Sequence, residues 1–213
     1  YEIRLSLVGS EMCIRDSFDN FEVVSADILK TDIPALVREK FADLMPIVCA
    51  NLPYNITTPA ITALIESKCL ESITVLVQKE VAERLCAAPG TSAYGAFSVF
   101  MQYYTEPEYL FAVPRECFEP QPKVTSAVLR AVVRREPPVE VEDEKFFFRV
   151  VYAAFALRRK TLVNSLMTAF GSQLTKEQVT QAVTSCGLEA NIRGERLGLS
   201  EFAALSAEIA ALL

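Results

Sequence analysis

Residues 46–78 read PIVCANLPYNITTPAITALIESKCLESITVLVQ, and this stretch decides the fold. Residues 46–50 are a short apolar run and read as a buried strand. Thr58 and Pro59 supply a cap and a first-turn proline, which predicts a helix to about Lys68. Residues 72–77 are rich in β-branched side chains and read as a second strand. Strand, helix and strand in succession place this segment in an α/β sheet of mostly parallel strands.

The pattern continues on both sides. Upstream, residues 22–25 (EVVS) read as a short buried strand, and Pro34 opens a helix to about Phe41. Downstream, residues 79–88 (KEVAERLCAA) read as a helix that Pro89 and Gly90 end. Residues 95–104 fit helix or strand equally, and residues 108–113 and 124–133 read as strands. The character changes after Glu136, Pro137 and Pro138, the best linker candidate. Beyond it only helices are expected, over about 144–156, 160–170, 176–186 and 200–212. Thr175 and Ser200 suit N-caps there, and Gly171 and Gly187 suit stops. The sequence therefore predicts an α/β domain followed by a small all-α domain.

Composition narrows the chemistry. The 213 residues are 51% hydrophobic and 23% charged, which excludes a disordered, collagen-like or coiled-coil chain. No apolar run approaches the roughly 18–20 residues of a membrane helix. There is no His, which excludes a Ser-His-Asp triad, a His base and a His-ligated metal. The six cysteines, Cys13, Cys49, Cys69, Cys86, Cys117 and Cys186, form no CxxC pair. They read as buried free thiols in a reducing compartment, with no zinc site. No signal peptide is apparent, so a cytoplasmic protein is expected. The net charge of −6 is uneven: residues 145–213 carry eight basic and five acidic side chains. Basic residues cluster at Arg134 and Arg135, at Arg158, Arg159 and Lys160, and at Arg193 and Arg196. Each cluster reads equally well as solvated surface or as a polyanion contact.

The sharpest chemical feature is Asn51-Leu52-Pro53-Tyr54, between a strand and a helix. Ligands of open α/β sheets bind at the carboxyl ends of strands. Asn51 offers an amide acceptor, Pro53 holds Leu52 extended so that its carbonyl can face outward, and Tyr54 offers a flat ring. Together they suit a planar base with an exocyclic amine, although an ordinary strand-to-helix turn uses the same residue types. Asp27, two residues past the EVVS strand, could accept hydrogen bonds from a nucleoside or simply cap a turn. Residues 118–126 (FEPQPKVTS) place Phe118 on a loop stiffened by two prolines, or merely lead into the next strand.

NLPYNITTP, VQKEVAERLCAAPGTSAYG, FEPQPKVTSAV, ALRRKTLVNSL and RGERLGLSEF occur in this order. Over residues 18–213 they resemble the rRNA adenine N6,N6-dimethyltransferase family, and within it the bacterial members that act on small-subunit (16S) rRNA. The resemblance implies a Rossmann-like S-adenosylmethionine methyltransferase domain, here residues 18–136, and a helical rRNA-recognition domain, residues 137–213. It implies dimethylation of adjacent adenosines near the 3′ end of that rRNA, during ribosome biogenesis. S-adenosylmethionine is the methyl donor and no metal takes part. Asn51, Leu52, Pro53 and Tyr54 match the family's target-amine motif, and Phe118 its facing aromatic. Asp27 matches a residue that contacts the adenine of the methyl donor; Ile28 beside it and Asn51 would border the same ligand. Arg158, Arg159 and Lys160 match a basic motif that, with Arg193 and Arg196, would contact rRNA phosphates. The partner expected is the assembling small ribosomal subunit, bound by a monomer with no membrane contact.

The sequence departs from the family pattern upstream. No Gly-x-Gly occurs anywhere, and the acidic residue that ends the family's second strand has no counterpart. Residues 1–17 (YEIRLSLVGSEMCIRDS) do not resemble the family and read as a translated sequencing artefact. The chain therefore reads as a C-terminal fragment with missing N-terminal strands, expected to bind S-adenosylmethionine poorly and not to methylate. Three alternatives stand beside this reading: a non-catalytic rRNA-binding assembly factor of the same fold, a DNA adenine methyltransferase, and a relative acting on large-subunit rRNA. The Leu52 position and the C-terminal motifs favour an RNA substrate over DNA.

Overall fold

The computed structural model describes residues 22–42 and 44–213. The readings of residues 1–17, Cys13 among them, lie outside the described residues. The described elements are α1 (Ile33–Phe41), β1 (Ile47–Asn51), α2 (Thr57–Glu66), β2 (Ser72–Gln78), α3 (Lys79–Leu85), α4 (Ala96–Tyr104), β3 (Thr105–Val113) and β4 (Ser126–Val133). They continue as α5 (Glu144–Phe155), α6 (Leu162–Phe170), α7 (Lys176–Ser185) and α8 (Leu199–Ala210). Strand order in the sheet is β1-β2-β4-β3. It is a mixed α/β fold, as expected.

Among the described residues only β1 and β2 are parallel; β4 runs antiparallel to both β2 and β3. The expected mostly parallel sheet fails here for a local reason. A parallel return needs a long crossover, usually helical. Residues 114–125 contain only a single 3-10 turn, Arg115–Cys117, so β4 comes back antiparallel beside β3. Pro107 lies in β3, which is an edge strand, the position where a missing N–H does least harm.

Ile73, Val75 and Val77 of β2 pair with Ala131, Leu129 and Ala127 of β4, and all six are buried. Alternation puts them on one face, against which α3 packs. In α2, Ala60, Ile61, Leu64 and Ile65 are buried, the i, i+1, i+4, i+5 stripe of a half-buried helix. Asp32 caps α1, its side chain accepting from the Ala35 N–H at 2.9 Å with Pro34 in the first turn. Thr175 caps α7 in a capping box with Gln178, as expected. Ser200 does not cap α8: Gly198 holds that position, and the Glu201 carboxylate accepts from its N–H.

Residues 22–26 form no strand, and Val23 and Val24 are about half exposed. Adjacent valines point to opposite faces, so a strand here needs a paired edge and cover on both sides. Among the described residues neither reaches it. The cysteines also differ from expectation: Cys49 and Cys117 are exposed, and Cys69, Cys86 and Cys186 are partly buried. Burial, with the Glu108 charge adding to it, pushes the Cys86 thiol up to about 11.

An aromatic seam joins α4 to α5. Tyr103 lies 5.2 Å from Phe147, Phe100 lies 5.7 Å from Phe148, and Tyr104 stacks on Phe148 at 5.6 Å. At its end the Tyr104 hydroxyl donates to Glu144 Oε1 at 2.5 Å. Burial first, then this hydrogen bond, raises the Tyr104 phenol above its ordinary value; burial raises Tyr94 and Tyr103 in the same direction. A phenol raised in the folded state contributes its stability fully below the unfolded value, about pH 10, and loses it as pH rises past that. The unfolding midpoint should therefore fall above about pH 10. Tyr104→Phe should flatten part of that fall, as followed by circular dichroism.

Candidate active site

The strand registers bring the candidate residues to one edge of the sheet. Asn51, at the carboxyl end of β1, pairs with Leu76, and Gln78, ending β2, pairs with Ser126, which starts β4. Val113, ending β3, also pairs with Ser126. The loops 52–56 and 114–125 therefore rise from the same edge. The Lys79 N–H donates to the Thr125 carbonyl at 3.0 Å and ties the start of α3 to the second loop.

Within Asn51-Leu52-Pro53-Tyr54 each residue has a distinct local job. The Leu52 N–H extends the ladder by donating to the Leu76 carbonyl at 3.3 Å, and its side chain is buried. The Pro53 carbonyl accepts from the Ile56 N–H at 3.1 Å and the Thr57 hydroxyl at 3.3 Å, which starts α2. The helix thus begins earlier than the expected Thr58 cap, with Ile56 at the cap position and no side-chain cap. Among the described residues no donor reaches the Leu52 carbonyl or the Asn51 side chain, and Asn51 is exposed. Tyr54 keeps 36% of its surface exposed, and its hydroxyl is hydrogen-bonded to Ser126 Oγ at 2.7 Å. The edge thus presents two unused acceptors and a tethered ring.

Phe118 follows the 3-10 turn on the 114–125 loop and is half-buried. A shallow cleft of about 330 Å³ opens at this edge, lined by Gln78, Lys79, Glu80, Glu83, Val124 and Thr125. Two larger cavities, about 590 Å³ and 1150 Å³, lie elsewhere, and none of the three is lined by Asn51, Leu52, Pro53, Tyr54 or Phe118.

Asp27 sits on the turn before α1 rather than at a strand end. Its Oδ1 accepts from the Leu29 N–H at 3.0 Å, its carbonyl accepts from Lys30 and Thr31, and Oδ2 lies 3.6 Å from Lys30 Nζ. This is the turn-capping use of Asp. Ile28 beside it is half-buried against the core.

The basic residues gather on one surface of the helical part. The Leu162 N–H donates to the Ile192 carbonyl at 2.7 Å, which lays residues 158–162 along 192–196. Arg159, Lys160, Arg193 and Arg196 are exposed there. Arg158 is used differently. It donates to the Ser92 carbonyl and lies 4.0 Å from Glu195, pinning the 88–95 loop to the helical part. The Gly90 N–H donates to the Glu195 carbonyl, and the Tyr94 hydroxyl to that of Leu197 at 3.0 Å. Gly90 has φ +83°, and Arg196 covers it. At Gly194 a Cβ would stand 2.7 Å from the Ala154 carbonyl, so the close approach of this segment to α5 requires glycine. Arg134, of the first basic cluster, is committed locally: it donates to the carbonyls of Gln102 and Thr105 and pairs with Glu106 at 2.8 Å.

Ser126 has no separate role on sequence grounds, although it closes the FEPQPKVTS stretch. Its bond to Tyr54 spans 72 positions, and no local pattern signals such a pairing.

The family model for ribosomal RNA adenine dimethylase matches residues 1–209, reaching upstream of Phe18, where the sequence resemblance starts. The ribosomal RNA small subunit methyltransferase A of Geobacillus thermodenitrificans is 46% identical over 193 residues, covering 89% of this chain and 66% of that protein. The protein of the same name from Streptococcus gordonii is 50% identical over 196 residues, 91% of this chain and 67% of its own length. The chain thus spans about two thirds of the length of these curated relatives. Among solved structures, a dimethyladenosine transferase from Plasmodium falciparum superposes with TM-score 0.74 at 21% identity, over 95% of this chain and 77% of that one. The 23S rRNA methyltransferase ErmE superposes with TM-score 0.69 at 24% identity, over 99% and 80%. These two likenesses establish a shared Rossmann-like fold. With the family model covering nearly the whole sequence, the chain belongs to the ribosomal RNA adenine dimethylase family.

Proposed function

We propose that the strand-edge site binds the adenine of small-subunit rRNA and serves its N6,N6-dimethylation, on adjacent adenosines near the 3′ end, with S-adenosylmethionine as methyl donor. The observation that carries this reading is the pair of acceptors left unused among the described residues, the Asn51 side chain and the Leu52 carbonyl, beside the tethered Tyr54 ring.

The chemistry follows from the substrate. The N6 lone pair of adenine is delocalised into the ring, so the amine is a poor nucleophile. Acceptors on both N–H groups favour a pyramidal nitrogen whose lone pair is localised. Tyr54 and Phe118 hold the base by stacking, which orients that lone pair. The methyl donor supplies an electrophilic methyl on a sulfonium. Methyl transfer leaves a positive charge on the nitrogen, and that cation is strongly acidic, so its proton passes to water without a strong base in a His-free site. The second transfer uses the same nitrogen, and the monomethylated amine still offers one N–H to the acceptors.

Asp27, Ile28 and Asn51 are the residues that would hold the donor. Asp27 retains carboxylate capacity at an exposed position, and Ile28 offers an apolar surface next to it. Arg159, Lys160, Arg193 and Arg196 are proposed to contact rRNA phosphates, so the helical part selects the substrate. Replacing Arg159 and Lys160 together should lower the slope of log affinity against log salt by about 1.5, the share of two phosphate contacts. Arg158→Ala should instead act mainly on stability, because Arg158 holds the 88–95 loop.

The deciding experiment incubates the chain with small-subunit rRNA and S-adenosylmethionine labelled in the methyl group, followed by nucleoside analysis. Label in N6,N6-dimethyladenosine supports the proposal and overturns the expectation that this chain does not methylate. RNA bound without label would make the chain a non-catalytic rRNA-binding protein, and neither binding nor label would overturn the reading.

A further inference from the structure

We infer that Ser126 is a positioning residue for the target base, acting through Tyr54; the inference rests on the reading of the site given above. Ser126 is fully buried at the first position of β4, held by backbone register to β2 on one side and β3 on the other. It is therefore among the most rigidly held points of the sheet edge. Tyr54 by contrast sits on a short loop with a third of its surface open. The 2.7 Å bond between the two hydroxyls fixes the far end of the ring to the rigid strand. The near end is fixed by the Pro53 carbonyl, which both Ile56 and Thr57 engage. A side chain held at both ends has a fixed long axis, which sets where the ring stands at the sheet edge.

Ser126 also terminates the loop that carries Phe118. The residue that anchors one aromatic wall thus ends the segment bearing the other, and Lys79 holds that segment through Thr125. Ser126 links the Tyr54 ring to the start of the strand that follows the Phe118 loop. Ser126 reaches Tyr54 from 72 positions away, and it does so from a strand whose following buried residues, Ala127 and Leu129, are apolar core. A buried hydroxyl at the head of such a strand is explained by the bond it makes to the ring.

The test reads the ring directly. The full chain is labelled with 3-fluorotyrosine, the Tyr54 fluorine signal is assigned by its loss in Tyr54→Phe, and adenosine is titrated. In the unsubstituted chain the Tyr54 signal should be a single line that shifts on titration. In Ser126→Ala it should broaden or split before ligand is added, and the adenosine midpoint should rise about tenfold, the value of one well-placed hydrogen bond. Tyr54→Phe, followed by binding of fluorescent-labelled adenosine-bearing RNA, should lose a similar factor. The double variant should lose no more than the worse single one. Ser126→Cys, which keeps a weak donor of similar size, should recover part of the loss. A Ser126→Ala signal and midpoint equal to those of the unsubstituted chain, or multiplicative losses in the double variant, would overturn the inference while leaving the site reading intact. An unsubstituted chain whose Tyr54 signal ignores adenosine would overturn the site reading and this inference with it. If Ser126→Ala failed to fold, Tyr54→Phe alone decides: full affinity for the RNA would refute the tether.

Discussion

Phe147→Ala is expected to lower the unfolding free energy by about 3–5 kcal/mol, the cost of deleting a fully buried ring and leaving its cavity. Phe147 has no exposed surface and packs 5.2 Å from Tyr103 and 5.0 Å from Phe148. Its neighbours cannot collapse into the gap. Tyr103 and Tyr104 sit on α4, Tyr104 is tied to Glu144, and Phe148 is pinned between Tyr104 and Phe100. The loss is a large share of the roughly 5–15 kcal/mol by which a domain is stable. Lys145→Ala, an exposed change on the same helix, should stay within about 0.5 kcal/mol. Urea unfolding measures both. A Phe147→Ala loss below about 1 kcal/mol would mean that the seam is not packed in solution, since a truncated core ring costs more than that. The seam also joins the helical part to the sheet, because α4 packs on both β3 and α5.

How far the sequence led depends on what kind of interaction each feature needs. Helices of the C-terminal part were readable almost to the residue, because caps and stripes are local. Thr175 with Gln178, and Asp143 accepting from the Phe146 N–H, lie within one turn. The 95–104 segment was ambiguous because both patterns fit it. Its helical outcome is set by the tertiary seam, in which Phe100, Tyr103 and Tyr104 share one side. Strand direction was the weakest reading. Nothing in residues 124–133 distinguishes a parallel from an antiparallel strand, and only the non-helical connection before them does. Residues 22–25 had strand composition, but composition does not supply a neighbour.

The site divides the same way. Asn51 through Tyr54 could be placed at a strand end because the strand and helix flanking them were legible. The role of Arg158 was not separable from that of Arg159, since adjacent basic residues look alike in sequence. Only the fold sends one to the Ser92 carbonyl and leaves the other in solvent. Asp27 had two readings, and the turn bond made by its Oδ1 does not decide between them.

Tyr54→Ala should weaken binding of a short single-stranded RNA bearing unpaired adenosines by about tenfold or more, because stacking of a base on an aromatic ring is worth about 1–3 kcal/mol. The ring is a third exposed, so its removal costs the fold little beyond the Ser126 bond, and a loss of affinity reports on the ligand. Phe111→Ala is the matched control: Phe111 is 55% exposed on the edge strand β3, away from the two acceptors, and its loss should leave affinity unchanged. Asn51→Ala should act on selectivity rather than on stacking. The unsubstituted chain should prefer adenosine to N6,N6-dimethyladenosine in the same RNA, because the dimethylated amine has no N–H for the Asn51 side chain and the Leu52 carbonyl. Asn51→Ala should lose most of that preference while keeping the stacking contribution. Fluorescence anisotropy with the two RNAs separates these effects. Equal affinities for Tyr54→Ala and Phe111→Ala would place the RNA elsewhere on the chain. Loss of stacking without loss of selectivity in Tyr54→Ala, and the reverse in Asn51→Ala, is the pattern that a ring and an acceptor pair acting on one base must produce.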